Sequence, residues 1–117
     1  MANKNSIVTG ITDLLVLSIL DKEDSYVYEI TKIINNCSEN LLGISHNTVY
    51  TATYKLEEEK MITEYSRLVG KKRTRVYYHI EPSGKEHLKK LQKDYADMTH
   101  GVKKVLSSIE DGISQNE

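Results

Sequence analysis

The sequence predicts a mainly α-helical fold with one small β-hairpin, the order of elements of a winged helix-turn-helix, continued by a long C-terminal helix. Three observations predict it. Between residues 7 and 60, apolar residues recur at helical spacing in three successive segments. Beyond Ile62 the period changes, and Thr63 to Val69 and Thr74 to Ile80 are rich in β-branched and aromatic residues around Gly70-Lys71-Lys72-Arg73. After Pro82-Ser83-Gly84, a heptad seam of Leu88, Leu91, Tyr95, Met98, Val102, Val105 and Ile109 runs at alternating spacings of 3 and 4. Residues 1–84 read as the winged unit, and residues 85–117 as a dimerisation helix with a frayed tail.

The first helix is expected over residues 7–20, with Thr9 or Thr12 as N-cap and Ile11, Leu14, Leu15 and Ile19 turned to the core. Asp21-Lys22-Glu23-Asp24 ends it. The second is expected from Tyr26 to Asn35, entered at Asp24 or Ser25, with Val27, Ile30, Ile33 and Ile34 inward. The stretch 35–40, NNCSEN, reads as a loop, and the two extremes, MANKNS and GISQNE, as frayed ends.

Ser45 is a good N-cap for a third helix running from His46 to about Lys60. At 100° per residue, Val49, Ala52, Thr53 and Leu56 share an arc of about 100° and face inward. The opposite side carries Asn47, Tyr50, Thr51, Tyr54 and Lys55, amide, hydroxyl, aromatic and cationic groups suited to base edges and phosphates. Nothing acidic lies among them in the sequence; Glu57, Glu58 and Glu59 gather at the far end, clear of a groove entered by the N-terminal turns.

The hairpin follows. Residues 65–80 contain Arg67, Lys71, Lys72, Arg73 and Arg75 and no acid, in a chain of net charge -1, so the remaining residues carry -6. Such a patch beside a polar-faced helix is the electrostatic footprint of a phosphate-binding surface. The plain alternative, a solvated charge run, leaves its position next to that helix unexplained. Tyr50 and Tyr54, four residues apart, have a second reading as partners packed along the helix, and Ser45 and Thr48 as cap residues only. DNA contact is therefore expected from Ser45, Asn47, Thr48, Tyr50, Thr51, Tyr54 and Lys55 on the helix and from Lys71, Lys72, Arg73 and Arg75 on the hairpin.

In the last helix, an apolar stripe this narrow is buried by pairing with a copy of itself, so a homodimer interface is expected at the seven seam residues. Gly101 disfavours a helix interior by about 1 kcal/mol against Ala and marks a bend or a close approach. Lys89, Lys90, Lys93, Lys103 and Lys104 are diluted by Asp94 and Asp97 and read as a solvated face.

Composition narrows the function classes. A chain of 117 residues is long enough to bury roughly two thirds of its unfolded surface without metals or disulfides. With 38% apolar and 28% charged residues it has the make-up of an ordinary folded domain. Leu14 to Leu20 is far shorter than the roughly 20 apolar residues of a membrane span, and Asp13 and the following DKED disqualify it as a signal peptide. A cytoplasmic protein is expected. Cys37, the single cysteine, has no basic neighbour to activate it. His46, His79, His87 and His100 show no metal-ligand spacing, and no phosphate loop or activated nucleophile is recognisable, so neither a metal, a cofactor nor an enzyme is expected.

The motifs resemble those of the PadR family of bacterial transcriptional regulators. The stretch 44–62, ISHNTVYTATYKLEEEKMI, resembles the family's recognition helix, with Ser45, Thr48, Tyr50, Ala52, Leu56, Glu57 and Ile62 matching. YVYEI at 26–30 resembles its HGYEI, and RVYYHIEPSGKEHL at 75–88 resembles its wing segment RKYYRLTEAG. Val27 stands where Gly is usual, His46 and Asn47 where Pro-Gly is common, and Glu81 where Thr is common. The resemblance implies a homodimeric regulator, a repressor in the first reading, that binds a palindromic double-stranded DNA operator. It also implies a small aromatic effector held near the dimer interface, where relatives use a Trp. This chain has no Trp; Tyr95 and Met98 occupy the corresponding region, where packing within the seam is the first reading and lining an effector cavity the second. Two rivals share the scaffold: a winged-helix protein-interaction module that does not touch DNA, and a ligand carrier with vestigial DNA contacts.

Overall fold

Six elements follow one another as α1 (Asn3–Lys22), α2 (Val27–Cys37), α3 (His46–Glu58), β1 (Ile62–Val69), β2 (Arg73–Ile80) and α4 (Pro82–Glu110). They come from a computed structural model that describes residues 3–112, with side chains from Gly10 onward. The three N-terminal helices and the base of the hairpin enclose one core, in which Val16, Leu17, Ile30, Val49, Leu56 and Ile62 are wholly buried. Among the described residues no helix is long and apolar enough to cross a membrane.

Helix α1 starts at Asn3, earlier than expected, so Thr9 and Thr12 lie inside it and neither is a cap. Four residues of the stretch expected to fray are thereby helical, while residues 1–2 and 113–117 fall outside the described residues. Its buried face is Thr12, Val16, Leu17 and Leu20. Leu14, Leu15 and Ile19 pack against the core but are only partly buried, and Ile11, expected in the core, is also only partly buried. The helix is apolar around most of its circumference, so periodicity alone sets the stripe off centre.

The N-cap of α2 is Tyr26, whose side chain makes no cap bond. Neither Asp24 nor Ser25 serves, because both are engaged with the hairpin. Ser25 pairs with Tyr78 through two backbone hydrogen bonds, from Ser25 N to Tyr78 O at 3.3 Å and from Tyr78 N to Ser25 O at 2.7 Å. This bridge acts as a one-residue third strand beside the hairpin. The helix runs on to Cys37, so Asn35, Asn36 and Cys37 belong to α2 and the exposed Cys37 thiol is not in a loop.

Asn35 sets the turn into α3. Its side-chain amide donates to Ile44 O at 3.0 Å and its carbonyl accepts from Ile44 N at 2.9 Å, fixing the residue before the cap of the next helix. Helix α3 ends at Glu58, two residues earlier than expected, and Lys60 leaves it with φ +62°.

The strands pair antiparallel in the register Ile62↔Ile80, Glu64↔Tyr78, Arg67↔Arg75 and Val69↔Arg73. Gly70, Lys71 and Lys72 form the three-residue loop, and Gly70 supplies the positive φ of +76° that such loops favour. Ile62, Tyr78 and Ile80 bury one face of the hairpin base, and the tip stands free in solvent.

Pro82 opens α4 at a position where a missing N–H goes unnoticed. Two turns root this helix in the core. Gly84 is buried so tightly that an added Cβ would overlap Met61 O, and Leu88 is 4% exposed. Leu88 is therefore a core residue of the winged unit, not a rung of an exposed seam, and Leu91 also packs against the core. From Tyr95 onward the seam stands in solvent, with Tyr95 at 43% and Val105 at 58% exposure and Leu106 joining it. Helix α4 runs without a break through Gly101, whose added Cβ would meet nothing within 4 Å, so no close approach exists there among the described residues.

Candidate nucleic-acid interface

Helix α3 presents its faces as expected. Val49, Ala52, Thr53 and Leu56 are buried, while Asn47, Tyr50, Thr51, Tyr54 and Lys55 are exposed. Ser45 caps the helix: its Oγ accepts from Thr48 N at 3.1 Å and lies 3.0 Å from Thr48 Oγ1. Both hydroxyls of that pair are engaged locally, and Thr48 is half-buried, so the cap reading of these two residues has direct geometric support. Thr51 donates its hydroxyl back to Asn47 O at 3.0 Å, which leaves its lone pairs outward as acceptors. Tyr50 and Tyr54 make no ring contact with each other among the described residues, so their reading as packed partners finds no support.

The face is not free of acid once the chain folds. Lys55 forms an ion pair with Asp13 of α1, Nζ to Oδ2 at 2.5 Å, and that hydrogen bond raises the lysine above its usual range. Asp13 lies on α1, so a helical wheel of α3 cannot reveal it. Only the packing of α1 on α3 brings it beside Lys55.

The hairpin cations divide into two groups. Lys71, Lys72 and Arg73 are exposed at the tip and make no ion pair among the described residues. Arg75 is half-buried, its guanidinium 4.1 Å from the centre of the Tyr26 ring. Its cross-strand partner Arg67 lies 4.5 Å from the centre of the Tyr77 ring. Tyr77 in turn meets Tyr26 edge-on at 5.2 Å and stacks with Tyr65 at 5.8 Å. Two like charges opposite each other repel, and each is steadied here by the negative face of an aromatic ring. Arg67 is not among the expected contact residues, although the alternation Tyr65, Arg67 and Arg75, Tyr77 carries the signal.

Asp24 ties this face of the hairpin to the α1–α2 junction. Tyr65 donates its hydroxyl to Asp24 Oδ2 at 2.6 Å, and His79 Nδ1 lies 2.8 Å from Oδ1. Burial alone would raise the Asp24 carboxyl, but the bonds from Tyr65 and His79 and the charges of His79 and Arg67 hold it below the usual range. The bond to Asp24 pushes the Tyr65 hydroxyl up.

A groove of about 620 Å³ joins helix and hairpin, lined by Tyr26, Tyr28, Tyr50, Arg73, Arg75 and Tyr78 among others. Tyr28 stacks on His46, the first residue of α3, at 4.5 Å. Tyr26 and Tyr28 are thus neighbours of the expected contact residues that sequence reasoning does not select. Elsewhere, Tyr95 and Met98 line an apolar cleft of about 360 Å³ between α1 and α4 with Ile11, Leu14 and Leu91. Among the described residues no group of His, Cys, Asp and Glu is arranged to hold a metal ion.

Known proteins share this geometry. The sequence profile of the transcriptional regulator PadR-like family matches residues 16–90. An uncharacterized protein of Lysinibacillus sphaericus is 30% identical over 110 residues, 94% of this chain and 97% of that one. A transcriptional regulator from Clostridium thermocellum is 31% identical, with a TM-score of 0.77 over 85% of this chain and 93% of that chain. The PadR of Bacillus subtilis, solved in complex with operator DNA, is 25% identical, with a TM-score of 0.63 over 68% of this chain and 45% of that chain. With the profile spanning α1 to the root of α4, and the helices and hairpin in the order that the family's motifs imply, this chain belongs to the PadR-like family of transcriptional regulators.

Proposed function

We propose that the chain is a homodimeric repressor that binds a palindromic DNA operator and is released by a small aromatic molecule. The observation that carries the DNA contact is the groove shared by Tyr50 of α3 and Arg73 of the hairpin, which sets the polar helix face beside the cationic tip. Asn47 and Thr51 read bases, and Lys71, Lys72 and Arg73 hold phosphates. Residues 85–117 serve as the dimerisation segment, through the exposed seam of Tyr95, Met98, Val102, Val105 and Ile109. Two-fold symmetry then requires half-sites about one helical turn, or a multiple of it, apart. An effector in the cleft beside Tyr95 and Met98 acts by changing the angle between protomers. The family's work on DNA supports a cytoplasmic location.

Selection of bound duplexes from a random pool, followed by footprinting, tests the reading. A palindromic site is expected, and a lone asymmetric site refutes the dimer. Retention on heparin despite a sequence pI near 6.4 separates a DNA-binding protein from a protein-interaction module that has no use for the cationic tip.

A further inference from the structure

The recognition face carries one cation whose charge is already answered. Lys55 is held by Asp13 across the α1–α3 contact, whereas Lys71, Lys72 and Arg73 have no carboxylate partner among the described residues. Asp13 is the less exposed member, at 19% against 53% for the lysine side chain, so the anchor is the carboxylate and the movable end is the amine. The two residues share a small cleft with Asn47, Thr48 and Thr51, on the flank of α3 that faces α1.

We propose that Asp13 is a positioning residue that restrains Lys55 and so withholds it from sequence-independent phosphate binding. The inference rests on the DNA-binding reading. For Lys55 to neutralise a phosphate it must leave Asp13, and the carboxylate then stands unpaired beside the polyanion. Non-specific binding is almost wholly electrostatic, so a cation withheld in this way lowers affinity for every sequence alike. A base edge that accepts from the amine, such as guanine O6 and N7, offers a directional bond in return for that separation. Asp13 thereby widens the gap between operator and random DNA without touching either.

The test is the salt dependence of binding to a random-sequence duplex, followed by fluorescence anisotropy, for the full chain and for Asp13→Asn, Lys55→Met and the double variant. Asp13→Asn keeps the side-chain shape, and a far-UV melt verifies the fold. Releasing Lys55 onto a phosphate steepens the slope by about 0.9, so the affinity ratio between about 50 mM and about 200 mM salt grows about 3.5-fold. The double variant loses that gain, and Lys55→Met changes the slope more in the Asp13→Asn background than alone. A slope unchanged in Asp13→Asn, or a gain that survives in the double variant, overturns the inference while leaving the DNA-binding reading intact. Failure of the unaltered chain to bind duplex at low salt overturns both.

Discussion

Gly84→Ala and Gly101→Ala make the same chemical change in the same helix and are expected to act with opposite sign. At position 84 the new methyl would overlap Met61 O and stand 2.9 Å from Ile80 Cγ1. Met61 O cannot retreat freely, because it accepts from Glu81 N at 2.9 Å, and Ile80 is buried. Overpacking of this kind costs about 1–3 kcal/mol. Loss of the Glu81–Met61 bond adds about 1 kcal/mol, and the better helix propensity of Ala returns up to about 1 kcal/mol. The net is a destabilisation of about 2 kcal/mol, or a fall in Tm of about 8 °C for a domain of this size. At position 101 nothing among the described residues lies within 4 Å of the new methyl, so the propensity gain is expected to dominate, up to about 1 kcal/mol. Urea and thermal unfolding followed by far-UV circular dichroism measure both. A Gly84→Ala protein as stable as the parent refutes the claim that the root of α4 is packed to contact.

Other outcomes follow from the same geometry. Arg73→Ala should weaken binding to all duplex sequences and lower the salt slope by about 1, measured by anisotropy at several salt concentrations. For the proposed dimer, Val102→Asp places a carboxylate in the exposed seam and should raise the dissociation constant by at least about 100-fold, read by sedimentation, since two copies each forfeit about 1.5 kcal/mol; a chain that sediments as a monomer before substitution refutes the dimer. Asp24 is depressed in the folded state, so its contribution to stability is present above about pH 4, the unfolded value, and is lost as pH falls through the lower folded value. The stability difference between the parent and Asp24→Asn should therefore shrink as pH falls below about 4; a difference that does not vary with pH in that range counts against the network.

The legible parts of the chain are those governed by local rules. Ser45 caps α3 because a hydroxyl before a polar helix has an orphan N–H in reach, and the inward face of α3 follows from its spacing. The hairpin and the Pro82 start of α4 are equally local. What escapes depends on partners distant in sequence. Asp24 and Ser25 look like caps, yet the hairpin, more than forty residues on, claims both. Asp13 meets Lys55 only after α1 packs on α3. Leu88 continues a heptad on paper, and its burial in the winged unit is decided by Gly84 letting α4 approach Met61. Arg75 reads in the sequence only as one of the hairpin cations, and its place over the Tyr26 ring becomes visible only in the folded chain.

The rooting of α4 also makes it a lever. Gly84 and Leu88 key its first two turns into the winged unit, so recognition helix and α4 turn as one body. From Leu88 to Glu110 the arm is about 33 Å long at 1.5 Å per residue. A tilt of about 10° at its far end displaces the root by about 6 Å, half the roughly 12 Å width of the major groove. In the proposed dimer, a small rearrangement among these half-exposed apolar side chains would thereby be magnified into a misfit between two reading heads and their DNA.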